Sequence, residues 1–111
     1  MGHLFAAVAA GETELILEDV VLAETVWTLS SYYRVNRQEI AEVLLVLLAE
    51  DGIVNPDKAA LERALALYGR HNVDFVDAFL AAQALVADPP EVYSFDHDFD
   101  RIPGVRRLEP E

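Results

Sequence analysis

The chain has 111 residues, of which 53% are apolar and 25% are charged, and it contains no cysteine. These values exclude a disordered tail, a disulfide-stapled fold and any centre built on thiolates, such as an iron–sulfur cluster. Twenty acidic residues against eight basic ones give a net charge of −12, which opposes salt-driven binding to nucleic acid or anionic lipid unless cations or a basic protein partner intervene.

No segment has the character of a membrane anchor or a signal peptide. The longest apolar stretches, such as residues 43–49, are far shorter than the roughly 20 residues that a membrane-spanning helix needs. Residues 4–10 are apolar, but no positively charged segment precedes them. Because there is also no repeat, low-complexity tract or linker, we expect a single cytoplasmic domain over residues 1–111.

The first half of the chain alternates helical and strand-like segments. Residues 1–10 are Ala-rich and predict a helix that closes at Gly11, and residues 15–17 predict a short buried strand. Asp19 is a candidate N-cap for a helix from residue 20 to about 33.

The next helix begins at a capping-box pattern formed by Asn36 and Glu39. Apolar residues then recur on one helical stripe, namely Ile40, Val43, Leu44, Leu47 and Leu48. Gly52 ends this helix, and residues 53–54 predict a brief strand.

The second half continues the alternation. Pro56 suits the first turn of a helix that fades near Gly69, and Asp74 opens a further helix that ends before Pro89. Residues 92–95 and 105–108 read as strands. Short apolar strands separated by helices predict an α/β fold with parallel pairing and helices on both faces, and a purely helical bundle is the alternative.

Glu24 is the one charged residue between residues 20 and 33. Burial of a lone carboxylate is costly unless the group is paired or metal-bound. A salt bridge, for example to Arg34, or a solvent-facing position explains Glu24 equally well, so both interpretations stay open at this stage.

Two further groups of acids stand where chemistry could occur. Asp74 and Asp77 lie three residues apart at the start of one helix, where Asp74 has the ordinary explanation of an N-cap and Asp77 can serve the helix terminus and a site beyond it. Asp96, Asp98 and Asp100 alternate after the strand at residues 92–95, at the kind of strand end where α/β proteins bind ligands.

Residues 72–100 contain seven acids and no Lys or Arg. Hard carboxylate oxygens favour Mg²⁺ or Mn²⁺ over softer metals, whereas a solvated acidic loop is the simpler explanation. The spacing does not match a calcium-binding EF-hand loop, which needs Gly and Glu where this chain has Arg101 and Arg107.

Three segments in order resemble the PIN-domain ribonucleases of the VapC toxin type: residues 21–27 (VLAETVW), 73–82 (VDFVDAFLAA) and 93–105 (YSFDHDFDRIPGV). The resemblance implies a parallel sheet between helices and cleavage of RNA with Mg²⁺ or Mn²⁺. It also implies neutralisation by a cognate antitoxin protein, and PIN-type toxins commonly form homodimers.

By match to the family pattern, Glu24, Asp77 and Asp96 are the implied catalytic and metal-binding acids, and Asp98 is an additional metal ligand. The family normally begins with a central strand that ends in a metal-binding Asp, and no residue here matches it. We therefore expect a shortened PIN-like domain in which the strands at residues 15–17 and 92–95 pair directly or accept a strand from another chain.

Three functions remain open from the sequence. The first is a metal-dependent endoribonuclease acting as a toxin, whose cleavage by this chain alone would be weak or absent. The second is a catalytically impaired shortened PIN homologue that binds a protein partner. The third is an acidic helical scaffold, which would show no dependence on Glu24, Asp77 or Asp96.

Overall fold

The structure is a computed structural model that describes residues 6–7, 10–11 and 13–111. Helices and short strands alternate as predicted: β1 (Leu15–Ile16), α1 (Asp19–Trp27), a π-helical turn (Thr28–Tyr32), α2 (Arg37–Leu48), β2 (Ile53–Val54), α3 (Lys58–Arg70), α4 (Phe75–Leu85), β3 (Glu91–Tyr93), a 3₁₀ turn (His97–Arg101) and β4 (Arg106–Leu108). The α/β class is confirmed over the helical bundle.

The predicted helix over residues 1–10 lies largely outside the described residues. At its end, the Ala10 N–H donates to the Ala6 carbonyl at 3.0 Å, and Gly11 has a φ of +76°. This left-handed conformation is the one that favours glycine after a helix. The predicted absence of a first strand stays a prediction.

Helix starts agree with the predictions within two residues. The Asn36 side chain accepts the Glu39 N–H at 2.8 Å, as predicted for the cap of α2. Pro56 does not lie in the first turn of α3 but precedes its N-cap, Asp57, whose carboxylate accepts the Ala60 N–H at 3.1 Å. Asp19 is not the N-cap of α1 but its first residue, and its carboxylate accepts a hydrogen bond from the Asn55 amide at 2.8 Å.

Strand pairing is parallel in both places where it occurs. Leu15 lies opposite Ile53 in the pair of β1 and β2, and Glu91 lies opposite Arg106 in the pair of β3 and β4. Each strand is two or three residues long. The crossover that parallel pairing requires contains α1 and α2 between β1 and β2, and the 3₁₀ turn between β3 and β4.

The prediction of one sheet is wrong for the described residues, because their strands form two separate two-stranded sheets. The predicted direct pairing of residues 15–17 with residues 92–95 does not occur, since β1 pairs with β2 and β3 pairs with β4. Helix α4 contacts both β3 and α1, the helix that follows β1. Packing on this helix, rather than strand pairing, therefore connects the two sheets.

The core is centred on α3, which packs against both α2 and α4. Leu61 and Leu65 of α3 and Ala78 and Ala81 of α4 are completely buried. The small side chains of α4 let it approach α3 closely, which fixes the start of α4 relative to the rest of the fold. Within the described part of the chain, no helix combines the length and the apolar character needed to cross a bilayer.

Candidate metal centre

Three carboxylates from two distant segments meet at one end of α4. Asp77 lies in the first turn of that helix, and Asp96 and Asp98 follow β3. One oxygen of each lies within 4.8 Å of the others. Among the residues that the structure describes, these form the one group of three or more acids or histidines close enough to share a metal ion.

Local hydrogen bonds set the backbone that carries two of these acids. The Asp96 N–H donates to the Ser94 hydroxyl at 2.9 Å, and the Asp98 N–H donates to the Asp96 carboxylate at 2.9 Å. Asp96 thereby caps the 3₁₀ turn over residues 97–101. A short polar side chain that bonds backbone two residues on is typical of Asp at such turns.

Asp77 is the most perturbed acid of the site. Its partial burial, together with the negative charges of Asp96, Asp74 and Asp98, raises the pKa of Asp77 to about 6. The pKa rises because ionisation of a carboxyl group costs more free energy beside other carboxylates and away from water. A cation among these oxygens would relieve that repulsion.

Arg101 and Arg107 connect the acidic loop after β3, residues 96–100, to the rest of the fold. Arg101 pairs with Asp98 at 3.1 Å and donates to the Asn72 carbonyl at 2.7 Å, so it joins this segment to the loop before α4. Arg107 of β4 donates to the Asp100 carboxylate at 3.0 Å and to the Ser94 carbonyl at 3.1 Å.

Asp100 consequently serves a different role from its neighbours. The Arg107 guanidinium, followed by His97, holds the pKa of Asp100 below its ordinary value. Asp100 therefore belongs to an ion pair that orders the loop, and its carboxylate is not part of the three-acid group. The composition of residues 72–100 did not predict the ion pairs that Arg101 and Arg107 make, because both arginines lie after that stretch of the sequence.

Arg37 was not predicted as a contributor, yet it positions the start of α4. One of its nitrogens donates to the carbonyls of Tyr68, His71 and Val73, at 2.9, 2.6 and 3.0 Å. Its guanidinium carbon lies 4.5 Å from the centre of the Tyr68 ring. Arg37 thus connects the beginning of α2 to the end of α3 and to the loop that leads to Asp74. A sequence signal for this role is absent, since the partners are backbone carbonyls.

Glu24 of α1 is the third acid that the family resemblance implies as catalytic. Glu24 is exposed and lines a shallow pocket with Val20, Trp27 and Val76, and it is not among the three acids whose oxygens lie within 4.8 Å of one another. Its part in the site stays a prediction.

Asp74 and Asp98 flank the predicted catalytic acids Asp77 and Asp96 in the sequence. Asp74 occupies the N-cap position of α4 as predicted, but its side chain makes no capping hydrogen bond. Asp98, which the family resemblance implied as an additional metal ligand, is half-buried and belongs to the three-acid group.

The three carboxylates fit a hard divalent cation. Ligands of one octahedral Mg²⁺, at about 2.0–2.1 Å from the ion, lie at most about 4.2 Å apart. The present oxygens need only small side-chain adjustments to reach such positions from their mutual distances of up to 4.8 Å. An all-oxygen donor set also suits Mg²⁺ or Mn²⁺ better than softer metals.

A comparison with protein-family models identifies the chain as a PIN domain, with residues 3–105 matched. The match covers nearly the whole chain, and the chain belongs to the PIN family. PIN domains have a nuclease-type fold and typically use divalent metals, which agrees with the acidic group at the start of α4. No curated protein and no solved structure matches the chain significantly.

Proposed function

We propose that the protein is a metal-dependent endoribonuclease and the toxin component of a toxin–antitoxin pair. The observation that carries the proposal is the convergence of Asp77, Asp96 and Asp98 within a chain of the PIN family. The proposed reaction is hydrolysis of an RNA phosphodiester bond with Mg²⁺ or Mn²⁺.

The three carboxylates would hold the ion, which would lower the pKa of a bound water and offset charge on the scissile phosphate. Because the pKa of Asp77 is raised to about 6, its carboxyl group holds a proton below that pH and would be free to hold a cation above it. Arg101 keeps the Asp98 carboxylate in place through a contact of 3.1 Å. A cation held by these carboxylates would also offset, near the site, part of the repulsion between a nucleic-acid phosphate and a chain of net charge −12.

The test is cleavage of single-stranded RNA by the purified chain with Mg²⁺ or Mn²⁺. Asp77→Asn and Asp96→Asn should each reduce cleavage at least 100-fold. Asp51→Asn, at an exposed acid between α2 and β2, provides the matched loss of one charge and should leave cleavage unchanged. Equal activity in all four proteins would contradict the proposal.

A basic antitoxin segment and a second copy of the chain are the proposed protein partners. The charge of −12 favours encounter with a basic partner. Val43 and Val46 of α2 are 57% and 70% exposed, and their separation of three residues puts them on one helical face, which supports self-association through α2. Val46→Glu should shift the protein from dimer to monomer in sedimentation analysis, whereas a monomeric wild-type protein would contradict the proposed dimer.

A second candidate function is that of a catalytically impaired PIN homologue that binds a protein. The observation that favours it is the position of Glu24 outside the acid group, which leaves the group without one of the acids that the family resemblance implies. Titration calorimetry separates the candidates. Specific Mg²⁺ binding that Asp96→Asn removes, without RNA cleavage, would favour the impaired homologue.

A further inference from the structure

Trp27 is the last residue of α1, and its side chain is 65% exposed. It lines a cleft of about 360 Å³ that also contains Ser30, Ser31 and Asp77. A volume of this order is within the range of small-molecule sites. A large exposed indole therefore shares one cleft with an acid of the candidate metal centre.

The cleft combines chemically different walls. Trp27 offers a flat apolar surface, two serine hydroxyls follow it in the π-helical turn, and Arg37, Asp74 and Asp77 contribute charges. The Ser30 hydroxyl donates to the Trp27 carbonyl at 3.1 Å, which fixes the backbone beneath the indole.

An apolar helix from a protein partner fits this lining poorly. It would bury the carboxylates of Asp74 and Asp77 without new partners, which is costly. A nucleotide carries a flat base for the indole, ribose hydroxyls for the serines and a phosphate for the end at Asp77, where a metal ion would be held.

We propose that Trp27 is a positioning residue that stacks on an unpaired base next to the scissile phosphate and so selects single-stranded RNA. This inference rests on the proposed ribonuclease function. Stacking of a base on an aromatic side chain requires that the base is free of its own helix, and such stacking tolerates any base because every base has a π-face. Duplex RNA keeps its bases stacked on one another and cannot use the indole.

Trp27 is the one tryptophan of the chain, so its fluorescence reports on this position alone. The probes are single-stranded (A)₁₂ and (U)₁₂ and the duplex that they form, with Ca²⁺ replacing Mg²⁺ to slow cleavage. Both single strands should quench the emission, with stronger quenching by (A)₁₂ because adenine stacks better. The duplex should bind more weakly and leave the emission nearly unchanged.

Variants at Trp27 separate stacking from simple apolar contact. Trp27→Leu removes the π-face but keeps an apolar side chain, and it should weaken single-strand binding and raise the KM for RNA by roughly five- to 150-fold. The kcat should change little, and Trp27→Phe should restore most of the affinity. Tyr93→Leu is the matched control, because Tyr93 is 69% exposed and does not line the cleft.

The outcomes are distinguishable. RNA cleavage that is equally efficient in wild type and Trp27→Leu would overturn the role of Trp27 and leave the ribonuclease intact. A wild-type protein that neither binds nor cleaves RNA would overturn both. Emission that shifts with protein concentration but not with RNA would assign the Trp27 surface to a second copy of the chain and overturn the inference.

Discussion

The start of α4 with the loop after β3 contrasts with the outer face of α1. In the first region, Asp96, Asp98 and Asp100 are each held by backbone or arginine contacts of about 3 Å. On the second, Glu24 and Trp27 are exposed among apolar residues. In the loop after β3, hydrogen bonds fix the backbone, and the acids of the motif therefore form a compact site. The motif residues Glu24 and Trp27 on α1 instead lie on an exposed surface.

The largest expected effect is on metal binding and RNA cleavage, and it compares the loss of an acid at the start of α4 with the loss of an acid on α1. Asp77→Asn should abolish specific Mg²⁺ binding and reduce RNA cleavage at least 100-fold, because it removes one of three clustered carboxylates. Glu24→Gln should change metal affinity less than tenfold, because Glu24 lies outside the group. Isothermal titration with Mg²⁺ measures both. A larger loss for Glu24→Gln would show that α1 closes onto the site when the metal binds.

The next prediction concerns how strongly Arg37 stabilises the fold around the start of α4. Arg37→Ala should destabilise the fold by about 2–4 kcal/mol in urea denaturation, because three carbonyls lose a charged donor and the Tyr68 ring loses its cation contact. Arg34→Ala, at an exposed arginine just before α2, is the control and should cost less than about 0.5 kcal/mol. Equal effects would mean that Arg37 does not position α4.

The free energy of unfolding should depend on pH because of Asp77 at the start of α4. The pKa of Asp77 is raised from 3.8 to about 6, so the folded state holds this proton more tightly than the unfolded state does. The resulting stabilisation is fully present below about pH 4 and is lost as the pH rises through 6. Asp77→Asn should therefore gain stability relative to wild type between pH 4 and 6.

Metal binding should show the opposite pH dependence. Mg²⁺ competes with the proton on Asp77, so the rise in Tm that Mg²⁺ causes should be small at pH 5 and grow as the pH passes 6. Asp51→Asn should behave as wild type in a thermal-shift series over this range. A Tm rise independent of pH would indicate general screening by the salt rather than binding at Asp77.

The sequence predicted the alternation of helices and parallel strands well, because apolar periodicity and caps such as Asn36 are local signals. It predicted the meeting of Asp77 and Asp96 only through family resemblance. The separation into two sheets was missed, since strands of two or three residues carry too little sequence to define their neighbours.

The roles of Arg37 and Arg107 were missed for a different reason. Each donates mainly to groups that sequence patterns do not display, namely backbone carbonyls far along the chain or an acid in a loop. Long-range side-chain contacts of this kind depend on the packing of α2, α3 and β4, and packing is a property of the whole fold.

The smallest expected effect compares two N-caps. Asn36 accepts the Glu39 N–H at 2.8 Å, whereas Asp74 occupies the same position of α4 without a capping hydrogen bond. Asn36→Ala should cost about 1 kcal/mol in urea denaturation, and Asp74→Ala should cost less than about 0.5 kcal/mol. The Asp74 carboxylate instead contributes to the raised pKa of Asp77, so its removal should lower that pKa in an NMR titration. A loss of about 1 kcal/mol in Asp74→Ala, with the pKa of Asp77 unchanged, would show that Asp74 caps the helix in solution and has no part in the acidic group.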